Sequence, residues 1–248
     1  MRASADALKQ TCGDAGFMSR RTLVLVALAV AAAAAALVAA LELTSGTTAA
    51  PAAPVTGAAR VGALLEGIPQ NGNVLGSRTA PVTLVEFADP QCPYCGMWGR
   101  DALPTVVSRY VRPGKVRIVF EGMTFVGPES GTALRTALAA AGQERFWNVL
   151  ELLYENQGTE NAGWVTDALL RGIGAAVPGL DTDRMLSERS SATVDAAVAR
   201  AKTAASNAGV TSTPSFLVGR TGGTMQLVHT ASLTASGITP ALDAALAQ

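Results

Sequence analysis

The sequence predicts an α/β domain with a block of helices inserted between its strands, held behind a single amino-terminal transmembrane helix. Three observations lead there. The apolar run Val82-Thr83-Leu84-Val85-Glu86-Phe87-Ala88 is followed within a few residues by the motif Cys92-Pro93-Tyr94-Cys95. From there the hydrophobic spacing reads strand, helix, strand, long helical block, hairpin and helix, the order of a layered α/β domain. Upstream, Leu23 to Leu41 is uninterrupted apolar sequence.

Residues 1–21 form a cytoplasmic tail and 22–43 the anchor. The apolar run would span about 28 Å as a helix, close to the hydrocarbon thickness of a bilayer. Arg2, Lys9, Arg20 and Arg21 precede it, and the next basic residue is Arg60. The positive-inside bias therefore puts the amino terminus in the cytoplasm and the rest of the chain outside the cell membrane. Small-residue sites near Val38-Ala39-Ala40 and Thr48-Ala49-Ala50 leave a second reading open, a cleaved signal peptide and a secreted product. Either way the C-x-x-C motif is exported into an oxidising compartment. Residues 44–77 are expected to be a flexible linker. Thr44 to Arg60, rich in Ala, Thr, Pro and Gly, would reach on the order of 55 Å when extended. Asn71-Gly72-Asn73 marks a turn, with a short strand after it at Val74-Leu75.

The domain proper is expected over 78–248. Val82 to Ala88 reads as a buried central strand. Pro93 to Arg109 reads as a helix kinked at Pro104, and Val116 to Phe120 as a second strand after the turn Pro113-Gly114. The helical insertion covers about 124–209. Leu134, Leu138, Phe146, Leu150, Leu153 and Tyr154 mark its apolar faces, with further helices at Trp164–Val177 and Thr182–Asn207 and a cap at Asp181 or Thr182. Ser215–Val218 and Thr224–Val228 form a hairpin around Gly222-Gly223, and Thr239–Leu246 a last helix.

A strand that ends in C-x-x-C before a helix places its first thiol at the helix amino terminus. There, unpaired N–H groups and the positive end of the dipole favour thiolate. Pro93 suits the first turn, where a missing N–H costs nothing. The second sulfur lies about one turn away and can close a small disulfide ring, so the motif describes a reversible thiol–disulfide centre. Composition excludes much else. Lys+Arg 19 balances Asp+Glu 19, which gives nucleic acid no basic surface to bind. His229 is the one histidine, which argues against a Ser-His-Asp or Cys-His nucleophilic site and the usual His-rich metal sites. Of three cysteines only Cys12 lies outside the motif, where it reads as a free cytosolic thiol or a lipidation site. With no second C-x-x-C or His pair to complete a zinc shell, no metal is expected.

Three stretches resemble the thioredoxin superfamily, and within it the DsbA-like branch with its helical insertion. They are Ala80–Cys95, Ala139–Trp147, and Gly209–Gly219 with its Thr213-Pro214. Together they cover most of 80–248. Pro90 and Ser212 stand where many relatives carry an aromatic residue and a glycine, and Tyr94 gives a Pro-Tyr dipeptide familiar from glutaredoxins. The resemblance implies a thiol–disulfide oxidoreductase with Cys92 as the more exposed nucleophile and Cys95 as the buried resolving thiol. Pro93 and Tyr94 would complete the active-site motif. A cis Thr213–Pro214 peptide would face the disulfide, leaving the Thr213 backbone to pair with an extended substrate; an ordinary trans turn is the alternative. Glu86 would relay protons for Cys95, or, as a solvent-reaching residue on an edge strand, would do nothing. Trp98, Phe146, Trp147 and Trp164 could line a substrate surface but at helical spacing read as core.

The expected function is an oxidase that introduces disulfides into exported proteins, with the Cys92–Cys95 disulfide as its redox centre and no further cofactor. The expected partners are exported protein thiols and a membrane quinone-linked thiol oxidase, DsbB-like or vitamin-K-epoxide-reductase-like. Two alternatives stand beside it: a reductase or isomerase of the same fold, and a non-catalytic peptide- or metal-binding module.

Overall fold

A computed structural model describes residues 51–230 and 232–248 and, nearer the amino terminus, Arg21, Val24, Leu25 and 28–34. The latter positions are helical and exposed. Among the described residues no helix is long and apolar enough to cross a membrane. The rest of the expected anchor, Cys12 and the start of the linker lie outside the described residues.

From residue 51 onward the described residues form one unit around a six-stranded mixed sheet of order β1-β2-β4-β3-β5-β6. β3 (Val82–Ala88) runs beside β4 (Val116–Gly122), parallel, from the Val82–Val116 pair to the Ala88–Gly122 pair. On its other side β3 pairs antiparallel with β5 (Ser215–Arg220), which carries β6 (Gln226–Val228) at the edge. All of β3 except Val85 is buried, as its near-continuous apolar sequence requires of a central strand.

The linker expectation needs correcting from Ala58 onward. α1 (Ala58–Leu65) buries Val61 and Leu65, four residues apart on one helical face, and packs against the insert. β1 (Gln70–Asn71) and β2 (Val74–Leu75) then form a hairpin that adds to β4. Gly72 (φ 62°) supplies the left-handed residue this turn needs. The turn and the second strand were legible; the helix was hidden by its small-residue neighbours.

The helix after the motif breaks at Ala102, as Pro104 demands. α2 (Pro93–Asp101) gives way to α3 (Leu103–Val106), which ends in a π turn over Val107–Val111. The insert comprises α4 (Pro128–Ala140), α5 (Phe146–Glu155), α6 (Asp167–Ala176), α7 (Thr182–Glu188) and α8 (Ala192–Ala208). Three of these carry side-chain caps: Thr166 accepts from Leu169 N, Asp181 from Arg184 N and Ser191 from Val194 N. Ser191 divides what the periodicity reads as one helix. α9 (Ala235–Leu246) starts four residues before the expected Thr239 and packs on β3, β5 and α3. Trp98, Phe146 and Trp147 are core residues; Trp98 stacks on Phe216 with ring centroids 5.1 Å apart. His229 is exposed in the loop after β6.

Candidate active site

β3 delivers the chain to its carboxyl edge, where residues 89–91 turn it into α2. Both Asp89 carboxylate oxygens are used there, Oδ1 accepting from Gln91 N at 2.8 Å and Oδ2 from Val126 N at 2.9 Å. The buried Gln91 amide donates to Ser130 Oγ and Asn161 Oδ1 and accepts from Asn161 N. From the segment after α5, Gln157 Nε2 donates to Pro90 O and Cys92 O, each at 3.0 Å. The insert thus fixes the backbone that presents the motif.

Cys92 is the N-cap of α2, in extended conformation, with Pro93 in the first turn. Its carbonyl accepts from the amides of Cys95 and Gly96, both at 3.1 Å. Cys92 and Cys95 are free thiols. Cys92 is 5 % exposed and Cys95 is fully buried, so the first sulfur is the more accessible of a sheltered pair. Tyr94 projects beside it, 60 % exposed. The Thr213–Pro214 peptide is cis. As a thiol, Cys92 Sγ donates to Thr213 O at 3.5 Å, which brings the predicted loop against the predicted nucleophile. Next to this loop an apolar groove of about 550 Å³ runs between Met123, Phe125, Val198 and Val210, with Lys202 at its wall.

The two sulfurs are electrostatically opposite. Cys92 is lowered to about 6, chiefly by a hydrogen bond from the Cys95 thiol, against the raising effect of burial; Thr213 and the amides of Cys95 and Tyr94 contribute further. Cys95 is pushed well up by burial and by the neighbouring Cys92 sulfur and Glu86 carboxyl. At neutral pH the Cys92 thiolate therefore predominates by about tenfold over its thiol, and Cys95 keeps its proton. Such a pair has the chemistry for nucleophilic thiol–disulfide exchange.

Glu86 does not reach solvent. β3 is central, and Glu86 is 1 % exposed between its cross-strand neighbours Phe120 and Phe216. Burial, reinforced by repulsion from Glu151, holds its carboxyl well above the usual carboxylate range. Glu151, equally buried, was not singled out in the sequence, although it carries the same signal as Glu86: one acid inside the apolar run Val149-Leu150-Glu151-Leu152-Leu153. Asp89, Gln91, Tyr154 and Gln157 were also missed. Their roles depend on contacts between distant segments, which one sequence does not display. Among the described residues no cluster of His, Cys, Asp or Glu could hold a metal ion.

A thioredoxin family model matches residues 69–228. A probable disulfide bond formation protein D of Bacillus cereus is 31 % identical over 147 residues, covering 58 % of this chain and 68 % of that protein. Disulfide bond formation protein D of Bacillus subtilis is 36 % identical over 102 residues, 39 % of this chain and 45 % of its own length. The crystal structure of oxidised BdbD from Bacillus subtilis superimposes with a TM-score of 0.63 at 22 % identity, covering 73 % of this chain and 98 % of that one.

Proposed function

The chain belongs to the thioredoxin family as a DsbA-like thiol–disulfide oxidoreductase, and we propose that it works as an oxidase through Cys92 and Cys95. The observation that carries the direction is the asymmetry of the two sulfurs. Stabilising the Cys92 thiolate stabilises the reduced enzyme, and this makes the disulfide form the stronger oxidant. In the reaction, a substrate thiolate attacks Cys92 Sγ of the disulfide. A bond forms between substrate and Cys92, and the electron pair of the broken Cys92–Cys95 bond leaves on Cys95, which takes up a proton. The substrate's second thiolate then attacks its own sulfur in the mixed disulfide and releases Cys92 as the stabilised thiolate. Two electrons pass from substrate to enzyme.

Glu86, buried in β3 with its carboxyl held well above the usual carboxylate range and its charge felt by the Cys95 thiol, is the group we assign to supply that proton. Thr213 and Pro214 would align an extended substrate over Cys92, with Pro93 and Tyr94 framing the sulfur. The disulfide itself is the redox carrier, with no other cofactor. The substrates would be exported proteins bearing thiols. Support for the location comes from the apolar run at Leu23–Leu41 and the basic residues before it, which read as a membrane anchor with the domain outside. A quinone-linked membrane thiol oxidase, DsbB-like or vitamin-K-epoxide-reductase-like, would regenerate the disulfide.

A redox titration of the full chain tests the direction. A potential near that of strong oxidants, about −120 mV, agrees with it; one near about −270 mV, the thioredoxin range, replaces the oxidase with a reductase.

A further inference from the structure

The last turn of α5 is held by two segments that are far apart in the sequence. The first is the redox motif. Gln157, just past the helix cap, donates to Pro90 O and Cys92 O, and Arg100 Nη1 of α2 donates to Tyr154 O at 2.7 Å. Gly96 leaves the room for this, since a Cβ there would stand 2.6 Å from Gln157 Oε1. The second is the segment that enters α1. Thr56 N donates to Asn156 Oδ1 at 2.8 Å, Thr56 Oγ1 to the same oxygen at 3.2 Å, and Asn156 Nδ2 returns a bond to Thr56 O at 3.1 Å. The Asn156 amide thus pairs with the Thr56 backbone as a neighbouring strand would, across 100 residues of sequence. Asn156 is also the C-cap of α5, and its Nδ2 closes the last turn on Leu152 O at 2.8 Å. Beside the pair, Gly57 (φ 80°) lies so close to Glu155 that a Cβ would overlap its side chain, and Arg60 pairs with the Glu155 carboxylate.

We propose that Thr56 and Asn156 are positioning residues for the redox motif: their clasp holds the end of α5 where Gln157 can grip the start of α2. The inference rests on the oxidoreductase reading of Cys92 and Cys95. Every link from the clasp to the nucleophile is a bond: Thr56 to Asn156, one peptide unit to Gln157, and Gln157 to the carbonyl of Cys92. Asn156 and Gln157 are consecutive, so the first cannot shift without carrying the second. With the clasp open, only the bond to Leu152 O remains to the Asn156 amide. Gln157 then holds Cys92 O less firmly, and the amino end of α2 is aimed less directly at Cys92 Sγ. A helix terminus changes the charge equilibrium of a group beside it by about two- to fivefold. Neither Thr56 nor Asn156 is charged, so the effect is one of position alone. Linkage makes it reciprocal: a clasp that favours the thiolate is itself held more tightly in the reduced protein than in the oxidised one.

The test uses the full-length protein in detergent. Wild type, Thr56→Pro, Asn156→Ala and the double variant are compared by the midpoint of Cys92 alkylation with iodoacetamide and by the equilibrium with glutathione at pH 8. Thr56→Pro takes away the N–H that Asn156 accepts and leaves the cap of α5 intact; Asn156→Ala opens the clasp from the other end. Each is expected to raise the midpoint by about 0.3–0.7 pH units and to shift the glutathione equilibrium about two- to fivefold toward the enzyme disulfide. The double variant should go no further than the larger single shift, because both substitutions open one clasp. A loss of stability alone moves neither reading in the folded protein. Readings equal to wild type in either folded variant, or shifts that add in the double variant, overturn the proposal. So does an equal shift in Gly172→Ala, which displaces Ala53 and leaves the clasp in place. Hydrogen exchange at the Thr56 amide of the wild type gives a measure free of any variant. Exchange about two- to fivefold slower in the reduced than in the oxidised protein at pH 8 supports the clasp, and equal rates overturn it. A wild type that glutathione disulfide cannot oxidise at Cys92 removes the oxidoreductase reading itself; an oxidisable wild type with unshifted variants removes the clasp alone.

Discussion

Gln157 donates one hydrogen from its amide to the carbonyl oxygen of Cys92 at 3.0 Å, across 65 residues of sequence. The same nitrogen holds Pro90 O. The carbonyl it grips is the one that starts α2, since it also accepts from the amides of Cys95 and Gly96. The insert therefore sets the direction in which the helix amino terminus faces the sulfur.

Replacing Gln157 by Ala removes two half-buried hydrogen bonds and leaves two backbone carbonyls with fewer partners. The expected cost is about 1–3 kcal/mol of folding stability, readable by urea denaturation. Slower alkylation of Cys92 by iodoacetamide at pH 7 should accompany it. Unchanged alkylation would mean that the helix holds its own orientation.

Cys92 should react with iodoacetamide with a midpoint near pH 6, and Cys95 should stay unreactive throughout the neutral range. The folded Cys92 value lies below that of the unfolded chain. Its contribution to the stability of the reduced protein is therefore complete above the unfolded thiol value of about 8.5 and is lost as pH falls through about 6. Thermal melts of reduced and oxidised protein between pH 5 and pH 9 should show the reduced form gaining on the oxidised one as pH rises.

The buried acids have the opposite sign. Folding raises Glu86 and Glu151, so between about pH 4.5 and pH 8 the unfolded chain releases protons that the folded chain keeps, and stability falls as pH rises. Glu151→Gln should flatten that decline and be more stable than wild type at pH 8, by on the order of 1–3 kcal/mol. A parallel decline in the variant would show Glu151 to be solvated in the folded state.

Gly172 of α6 lies under the backbone of Ala53, and a Cβ at 172 would collide with the Ala53 carbonyl oxygen. Ala53 N also donates to Ala168 O at 2.9 Å. Gly172→Ala should cost about 1–3 kcal/mol despite the better helix propensity of alanine. It should free the segment around Ala53 to limited proteolysis while leaving the alkylation of Cys92 unaltered.

The parts of the site that were legible in the sequence are those that lie close together along it. Cys92, Pro93 and Cys95 declare a helix start by their order alone, and the apolar run before them places β3. Thr213-Pro214 became legible through the company of the other two stretches. Glu86 was visible as an acid among apolar residues, but whether it faces solvent depends on β3 having neighbours on both sides, one of which, β5, begins more than 120 residues later. Glu151, Gln157 and Asn161 come near the motif only after α5 has packed on α4 and on α2. α1 was lost for a different reason. Ala, Gly and Pro around it resemble a tether, and its two buried anchors, Val61 and Leu65, are too few to stand out from that background.

The contacts of Gln157 bear on redesign. Exchanging the Pro-Tyr dipeptide for that of a relative leaves the brace on the helix start, contributed by the segment after α5, as it was. A graft that moves the motif without residues 146–161 would leave the carbonyls of Pro90 and Cys92 without the donor that holds them, and a version trimmed to the bare sheet would keep both sulfurs on an unbraced helix start.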